Sequence, residues 1–448
     1  MEQDTVGSLG EFGIISRITK GLPVAPAVSV GPGDDAAVFL VNGSSVTSVD
    51  VLVEGVHFRR DWVPAEMLGR RAVAGAAADI EAMGAYQGAV LVGLTLPADI
   101  PVAWIDDLAK GIRMECEAAG AVLVGGDLTR GRDVVISVTV MGETRGTVPV
   151  LRSGAQPGDV VAVRGRLGWS AGGLAVLSRG FRSPRALVEA YQLPQVPAEM
   201  LGRRAVAAAA ADIEAMGAYQ VAVLVGLTVP TDIAVAWIDD LAKGIRLECE
   251  AAGAVLVGGD LTRGRDVVIS VTVMGETRGT VPVLRSGAQP GDVVAFRGRL
   301  GWSAGGLAVL SRGFRSPRAL VEAYQLPQVP YGAGPEACLA GATAMIDISD
   351  GLIADLGHIA DSSQVCIDLD SARFDVPVPL HAVAAATGTD PLRFILTGGE
   401  DHALVATFPL GNVPPDWQVI GVVSDAEPVV LVDGQPYDQA QGWDHFRH

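Results

Sequence analysis

Cysteine is scarce in this chain of 448 residues. The four cysteines, Cys116, Cys249, Cys338 and Cys366, form no Cys-X-X-Cys pair. Disulfide frameworks and structural zinc sites usually depend on closely spaced thiols. The cysteine pattern therefore argues against both and favours a reduced compartment, so we expect a cytoplasmic protein.

Long hydrophobic runs are also absent, although hydrophobic residues make up 49% of the chain and the mean hydropathy is +0.35. No uninterrupted apolar stretch approaches the roughly 20 residues that a membrane helix needs. The N-terminus begins with the acidic segment Met1–Asp4, and no apolar export core follows it. We expect neither a membrane-spanning segment nor an export signal.

Positive charge is the third scarcity. The formal net charge is −18, and the only lysines are Lys20, Lys110 and Lys243. Nucleic acids and anionic membranes are bound by clustered Lys and Arg, which this composition does not favour. If the protein handles phosphate, metal ions must supply much of the positive charge.

An internal repeat organises the chain. The segment 64–196 recurs as 197–329 with a period of 133 residues and seven differences. Solenoid repeats are about 20–50 residues long, so this period is too long for one. We interpret it as a recent tandem duplication, and removing one copy leaves a self-consistent two-domain chain of 315 residues.

The residue pattern alternates between strands and helices. Residues 45–53, 89–96 and 133–143 are rich in β-branched side chains and predict strands, and 121–124 predicts a short strand before Gly125-Gly126-Asp127. Apolar residues at helical spacing predict a helix over 102–120. A later strand, helix and strand are predicted at 344–348, 350–360 and 365–369. The fold class is therefore α/β or α+β.

Acidic side chains recur next to glycine or at the predicted strand ends. Magnesium prefers a few carboxylates together with phosphate oxygens and water, and glycine lets a phosphate approach the backbone. Taken singly, each motif is an ordinary turn or helix cap. Their order along the chain is what carries information: GDDAAV at 33–38, VDVLVEGVHF at 49–58, DIEAMGA at 79–85, GGDLTRG at 125–131, RSGAQPGD at 152–159, MIDISDGL at 345–352, GGEDHAL at 398–404 and GWDHF at 442–446.

This set resembles the thiamine-monophosphate kinase family, which belongs to the superfamily of aminoimidazole ribonucleotide synthetase and selenophosphate synthetase. Apart from the extra copy, the resemblance covers nearly the whole chain. It implies a two-domain fold, with an N-terminal mixed sheet with helices and a C-terminal α/β domain. It also implies a homodimer formed through the N-terminal sheets.

The resemblance further implies a set of ligand-binding residues, with no catalytic nucleophile or base. Several Mg²⁺ ions would be held by Asp35, Ser48, Asp50, Asp79, Asp127, Asp347 and Asp350, with Asp212 and Asp260 as duplicate candidates. ATP would contact Gly126, Asp127, Arg152 and Ser349, with Gly259 and Arg285 as duplicates. Thiamine monophosphate would be lined by His57, Glu400 and Trp443, where an aromatic face and a negative charge suit the cationic thiazolium.

The implied reaction is in-line transfer of the ATP γ-phosphoryl group to thiamine monophosphate, with metal ions neutralising the charge. The chain departs from the family pattern in two places. It has Gly75-Ala-Ala-Ala78 where an Asn and a Ser are usual, and His402 where Tyr is usual.

The duplication leaves the domain arrangement open. The least disruptive arrangement has an N-terminal ATP, magnesium and dimerisation domain at 1–150, a duplicated insert at 151–283 and a C-terminal domain at 284–448. It favours the first copy for the N-terminal ligands, because that copy closes the shorter loop. The competing arrangement loops out 64–196 and uses the second copy throughout, and nothing distinguishes Arg152 from Arg285.

Two alternative functions remain. One is another ATP-dependent synthetase of the same superfamily, which the lack of an N-terminal or C-terminal reactive cysteine disfavours. The other is a nucleotide-binding protein whose catalysis the duplication has impaired, because a displaced segment can disturb the geometry of a site.

Overall fold

The computed structural model describes residues 6–9, 11–19, 28–30, 32, 36–61, 63–151, 198–312 and 314–437. They form three parts. We call residues up to 151 the first unit, residues 198–283 the second unit, and residues 284–437 the C-terminal domain.

The first unit is a four-stranded sheet covered by helices. The sheet order is β3-β6-β4-β5, in which β4 and β5 are parallel and the other neighbours are antiparallel. Its elements are α1 (Val6–Leu9), α2 (Glu11–Thr19), β1 (Val28–Val30), β2 (Val38–Phe39), β3 (Ser45–Val53), α3 (Ala65–Ala82), β4 (Tyr86–Leu96), α4 (Val102–Ala119), β5 (Val122–Arg130) and β6 (Val135–Glu143).

Local sequence explains these elements. In α4 the residues Ile105, Leu108, Ile112 and Cys116 recur every three or four positions and are all buried. The helix ends at Gly120, whose φ of 71° is a left-handed conformation that glycine adopts without strain. Because β4 and β5 are parallel, the chain must cross over between them, and α4 is that crossover.

The second unit repeats this fold without the N-terminal segment. Its sheet order is β8-β7-β9, with β7 and β8 parallel and β7 and β9 antiparallel. Its elements are α5 (Ala198–Ala215), β7 (Tyr219–Val229), α6 (Val235–Ala252), β8 (Val255–Arg263) and β9 (Val268–Glu276). No counterpart of β3 lies beside β9 within the described residues, because residues 1–63 occur once in the chain.

The C-terminal domain is a seven-stranded sheet of order β11-β13-β10-β14-β12-β15-β16. Its helices and strands are β10 (Val293–Arg297), α7 (Trp302–Leu310), α8 (Arg318–Gln325), α9 (Ala333–Ala340), β11 (Ala344–Ile348), α10 (Leu352–Ser363), β12 (Cys366–Leu369), α11 (Val378–Thr387), α12 (Pro391–Thr397), β13 (Ala403–Phe408), β14 (Gln418–Ser424), β15 (Val429–Val432) and β16 (Gln435–Pro436). The predicted mixed α/β class is confirmed.

One predicted element was wrong in its extent. The predicted short strand at 121–124 is the beginning of β5, which continues through Gly125-Gly126-Asp127. The parallel pair β4–β5 shifts register between Val90 and Leu91. Gly126 has φ of 153°, and a Cβ there would lie 1.9 Å from the Val92 carbonyl oxygen. Glycine therefore allows a bulged strand where the sequence suggested a turn.

The C-terminal domain packs against the second unit. It contacts α5 through β11, β13, α8 and α9, and the Val283 N–H donates to the Met216 carbonyl where the two parts join. The sequence favoured an arrangement that joins 1–150 to 284–448. The observed packing follows chain continuity instead, because residues 283 and 284 connect the second unit directly to this domain. The domain boundaries remain a prediction.

None of the helices in the described part of the chain combines the length and the hydrophobicity that crossing a bilayer requires.

Candidate functional site

The first group of predicted site residues lies on β3 and at the end of α3. Ser48 and Asp50 are two residues apart on a strand, so they point to the same face of the sheet. The Ser48 hydroxyl donates to Asp79 Oδ2 at 2.6 Å. Burial raises the pKa of Asp50, and the charges of Asp79 and Asp260 raise it further. Three carboxylates therefore concentrate negative charge beside a serine hydroxyl.

Asp260 comes from the second unit. Its Oδ2 accepts a hydrogen bond from the Val51 backbone N–H at 3.1 Å, because β3 lies against β7 and β8. Its first-copy equivalent, Asp127, is exposed on β5. The sequence favoured the first copy for all N-terminal ligands, whereas the group around Asp50 draws on both copies.

His57 also connects the two units. Its Nδ1 accepts a hydrogen bond from the Val53 N–H at 3.0 Å, and its Nε2 lies 3.0 Å from Thr262 Oγ1. A neutral ring that accepts at Nδ1 carries its proton on Nε2, so we assign Nε2 as the donor to Thr262. Burial lowers the pKa of His57, in spite of the opposing charge of Asp260. His57 is therefore a neutral, oriented ring.

The second group belongs to the C-terminal domain. Asp347 is the penultimate residue of β11 and is buried, and its Oδ2 lies 3.0 Å from His402 Nδ1. Burial lowers the pKa of His402, but the hydrogen bond and charge of Asp347 and the charge of Glu400 outweigh it, so the net shift is upward. Ser349 and Asp350 follow β11 directly, and the Ser349 carbonyl accepts from the Glu400 N–H at 2.7 Å.

Two buried carboxylates in this domain were missed by the sequence analysis. Asp355 accepts hydrogen bonds from the N–H groups of Asp350 and Gly351. Burial raises its pKa well above the ordinary value, and the charges of Asp347 and Asp350 add to that rise. Asp401 accepts from the N–H groups of Gly301 and Ser303 at the start of α7. Asp355 lies in no local pattern that separates it from an ordinary helix residue, whereas Asp401 belongs to the motif GGEDHAL, in which only Glu400 was assigned a role.

Glu400 attaches this group to the second unit. It has φ of +66°, a left-handed conformation that is unusual for a non-glycine residue, and its carboxylate pairs with Arg204 Nη2 at 2.5 Å. Arg204 also donates to the Tyr324 carbonyl. The C-terminal acidic group is thus held against α5, the helix that carries Asp212.

Some of the remaining predicted residues lie in the part of the chain that the structure describes, and others lie outside it. Gly259 repeats the conformation of Gly126, with φ of 157°. Arg285 begins a short 3-10 turn, and its carbonyl accepts from the Ser363 hydroxyl. Asp35, Arg152 and Trp443 lie outside the described residues.

The donor chemistry fits magnesium, although no group of three or more potential ligands in the described ranges is already arranged around one ion position. Carboxylate oxygens are the ligands that Mg²⁺ prefers. The pKa values of Asp50 and Asp355 are raised first by burial and then by neighbouring carboxylate charges, and a bound cation would relieve the repulsion between those charges.

Sequence comparison relates the chain to known proteins. A family model described as "AIR synthase related protein, N-terminal domain" matches residues 33–144 and again 184–277. Thiamine-monophosphate kinase from Mycobacterium tuberculosis (strain ATCC 25618 / H37Rv) is 34% identical over 447 residues, which cover 99% of this chain and 94% of that protein. The enzyme of the same name from Corynebacterium glutamicum is 40% identical over 264 residues, covering 57% of this chain and 80% of that protein.

Structural comparison agrees. The solved structure of AaThiL complexed with AMPPCP and TMP shares 31% identity and a TM-score of 0.52, covering 56% of this chain and 82% of that chain. The crystal structure of thiamine monophosphate kinase from Aquifex aeolicus shares 29% identity and a TM-score of 0.52, covering 60% of this chain and 98% of that chain.

Proposed function

The chain belongs to the thiamine-monophosphate kinase family, and on that premise we propose that it transfers the γ-phosphoryl group of ATP to thiamine monophosphate, producing thiamine diphosphate. The observation that carries the proposal is the pair of carboxylate groups, one around Asp50 and one around Asp347, in a chain that has only three lysines. Carboxylates repel phosphate, so metal ions that these carboxylates hold would balance much of the phosphate charge.

In this proposal Mg²⁺ would be held by Ser48, Asp50 and Asp79 of the first unit together with Asp260 of the second, and by Asp347 and Asp350 of the C-terminal domain. The bound metal would supply charge neutralisation at the phosphate oxygens. Asp355 fixes the turn that carries Asp350 by accepting two backbone N–H groups. Asp35 and Asp127 are further predicted metal ligands, with Asp212 as a duplicate candidate.

The chain's own groups would bind and orient the two substrates. Ser349, Gly126 and either Arg152 or Arg285 are proposed nucleotide contacts. His57, Glu400 and Trp443 are proposed to line the thiamine phosphate pocket. Phosphoryl transfer depends mainly on positioning and on stabilisation of charge, so no protein nucleophile is required.

Two predictions about the setting of this reaction belong with the proposal. A cytoplasmic location is expected from the composition. The family resemblance predicts a homodimer formed through the N-terminal sheets, although in this chain the second unit packs against strand β3 of the first unit.

The proposed kinase activity is tested by measuring the formation of thiamine diphosphate. Purified protein is incubated with ATP, Mg²⁺ and thiamine monophosphate, and thiamine diphosphate is followed by chromatography. Asp350→Asn should lower the rate by at least about 10- to 100-fold, the loss seen even for residues that only support a metal ligand. Asp425→Asn, in an exposed turn of the same domain, is the matched control and should keep the wild-type rate.

One observation favours a second candidate, a nucleotide-binding family member with impaired catalysis. Ser48 and Asp50 lie on the first unit, whereas the C-terminal domain packs against the second. This candidate would be established, and the kinase rejected, if the protein bound ATP but formed no thiamine diphosphate. Wild type and Asp350→Asn would then show the same absence of product.

A further inference from the structure

The contacts between the two units come in reciprocal pairs. Arg132 of the first unit forms an ion pair with Asp266 of the second, and Arg265 of the second unit forms one with Asp133 of the first. Each residue in one pair lies 133 positions from its equivalent in the other, which is the repeat period. The same surface of each unit therefore faces the other.

The centre of the interface shows the same symmetry. Thr139 on β6 and Thr272 on β9 are equivalent residues, and their hydroxyl oxygens lie 2.9 Å apart. A residue that contacts its own equivalent marks the position of a twofold axis. A Cβ at Gly93 would lie 3.4 Å from Ser270 Oγ, and one at the equivalent Gly226 would lie 3.4 Å from Ser137 Oγ.

Such self-complementary contact is the geometry of a twofold-symmetric dimer, which is the commonest form of soluble oligomer. We propose that the second unit serves as a built-in partner: it covers the sheet face of the first unit that a second chain would otherwise use, and it contributes Asp260 and Thr262 to the site on β3. One polypeptide then contains a pseudo-dimer of α/β units, of which the second lacks the N-terminal segment.

The interface between the two units changes the hydrogen bonding of Thr262 in the second unit. In the first unit, Thr95 Oγ1 and Thr129 Oγ1 lie 3.1 Å apart. In the second unit, Thr262 is paired with His57 instead, and Thr228 Oγ1 is left buried with no hydrogen-bond partner in the structure described. The equivalent residues Thr129 and Thr262 thus have different hydrogen-bond partners, because His57 belongs to the segment that occurs only once in the chain. Thr262 is a positioning residue that orients the His57 ring.

Engineered cysteines at the pseudo-axis test the proposal directly. With diamide as oxidant, Thr139→Cys/Thr272→Cys should form a disulfide within one chain, seen as a faster non-reducing band and the loss of two free thiols. Thr139→Cys alone should remain an uncrosslinked monomer, because its neighbour is Thr272. If a second chain used this face, the introduced thiol would meet its own copy, and the single variant would give a covalent dimer.

Two controls keep the experiment decisive. Thr139 is buried, so its replacement could disturb folding. Thr47→Cys/Met274→Cys therefore provides a second pair elsewhere in the interface, where Thr47 Oγ1 lies 3.5 Å from Met274 Sδ. The wild-type chain accounts for native thiols. Cys116, Cys249 and Cys366 are buried, and burial raises the pKa of Cys116 to about 12, which leaves Cys338 as the partly exposed thiol. Covalent dimers, or no disulfide from either pair, would overturn the proposal.

The contribution of Thr262 to the site rests on the proposed kinase function. Thr262→Val should raise KM for thiamine monophosphate about fivefold, the usual value of one hydrogen bond, with kcat little changed. Thr129→Val, its equivalent in the first unit, should leave KM unchanged. Equal effects of the two variants would refute the positioning role. If no sample turns over, the kinase proposal fails, while the disulfide result still decides whether the units pair within one chain.

Discussion

At the scale of single residues, two differences between the copies have a common explanation. A Cβ at Gly88 would lie 2.2 Å from Phe39 Cζ, and one at Gly75 would lie 2.9 Å from Asp50 Oδ2. The second copy has Val221 and Ala208 at these positions. Phe39 and Asp50 belong to the segment that occurs once, so a side chain is accommodated in the second copy where the first requires glycine.

We therefore expect Gly88→Val to destabilise the first unit by about 1–3 kcal/mol, the usual cost of overpacking. The reciprocal change, Val221→Gly, removes a side chain that is 42% exposed and should cost at most about 1 kcal/mol. Chemical denaturation followed by circular dichroism measures both. Equal losses would show that Phe39 does not restrict position 88.

Glu214 is the residue that most clearly ties the second unit to the C-terminal domain. It is buried, and its two carboxylate oxygens accept from the N–H groups of Gly332 and Gly334, each at 2.8 Å. Glu81, its first-copy equivalent, is exposed. The same side chain is thus a buried acceptor in one copy and a surface residue in the other.

Glu214→Ala should destabilise the C-terminal domain by about 1–3 kcal/mol, because it leaves two N–H groups unpaired, whereas Glu81→Ala should change little. Burial raises the pKa of Glu214. A raised folded-state pKa means that the stabilisation is complete below 4.5 and declines as the pH rises through the folded-state value. The stability gap between wild type and Glu214→Ala should therefore narrow toward neutral pH. Thermal melts at a series of pH values test this, and a widening gap would contradict it.

At the scale of elements, helix α2 accounts for the difference in burial between β5 and its copy in the second unit, β8. It packs on β5 and α4, and Val124 and Leu128 are 1% and 3% exposed beneath this part of the core. Their equivalents on β8, Val257 and Leu261, are 57% and 65% exposed, because the second unit has no copy of α2. Within the residues that the structure describes, the second unit therefore presents an uncovered apolar strand, which is an aggregation liability.

Leu128→Ser should cost about 2–5 kcal/mol, as for other large-to-small changes in a core. Leu261→Ser should stay within about 0.5 kcal/mol, as for most surface changes, and should reduce aggregation on heating. Light scattering during a thermal ramp, with denaturation in parallel, measures both effects. A large stability loss in Leu261→Ser would mean that another segment covers β8.

At the scale of the whole molecule, the two units are complementary halves. The first has the N-terminal segment with Ser48 and Asp50, and the second carries the C-terminal domain with Asp347 and Asp350. Deleting 64–196 places the N-terminal segment and the C-terminal domain on the same unit. The deletion also removes the built-in partner, so the paired sheet face becomes exposed.

The shortened chain of 315 residues should therefore self-associate into a dimer and should turn over at least as fast per chain as the full chain. Light scattering after gel filtration gives the mass, and thiamine diphosphate formation gives the rate. A monomeric shortened chain would contradict the proposal that the second unit replaces a dimer partner. A lower rate per chain would show that the full chain, with both copies, is the more active form.

Much of the local structure follows from the sequence alone. The apolar spacing of Ile105, Leu108, Ile112 and Cys116 determines α4, and β-branched residues determine β3 and β6 within a few residues of their observed ends. The order of the acidic motifs identifies the family, because each motif needs only its neighbours in sequence to be recognised.

The tertiary structure decided which copy contributes to which contact. Asp127 and Asp260 are chemically equivalent, and only the packing of β3 against β8 places Asp260 near Asp50. Leu128 and Leu261 lie in identical local sequences, yet one is buried and the other exposed. Local patterns specify elements, whereas burial and pairing depend on which distant segment covers each surface, and in this chain that segment is present for one copy and absent for the other.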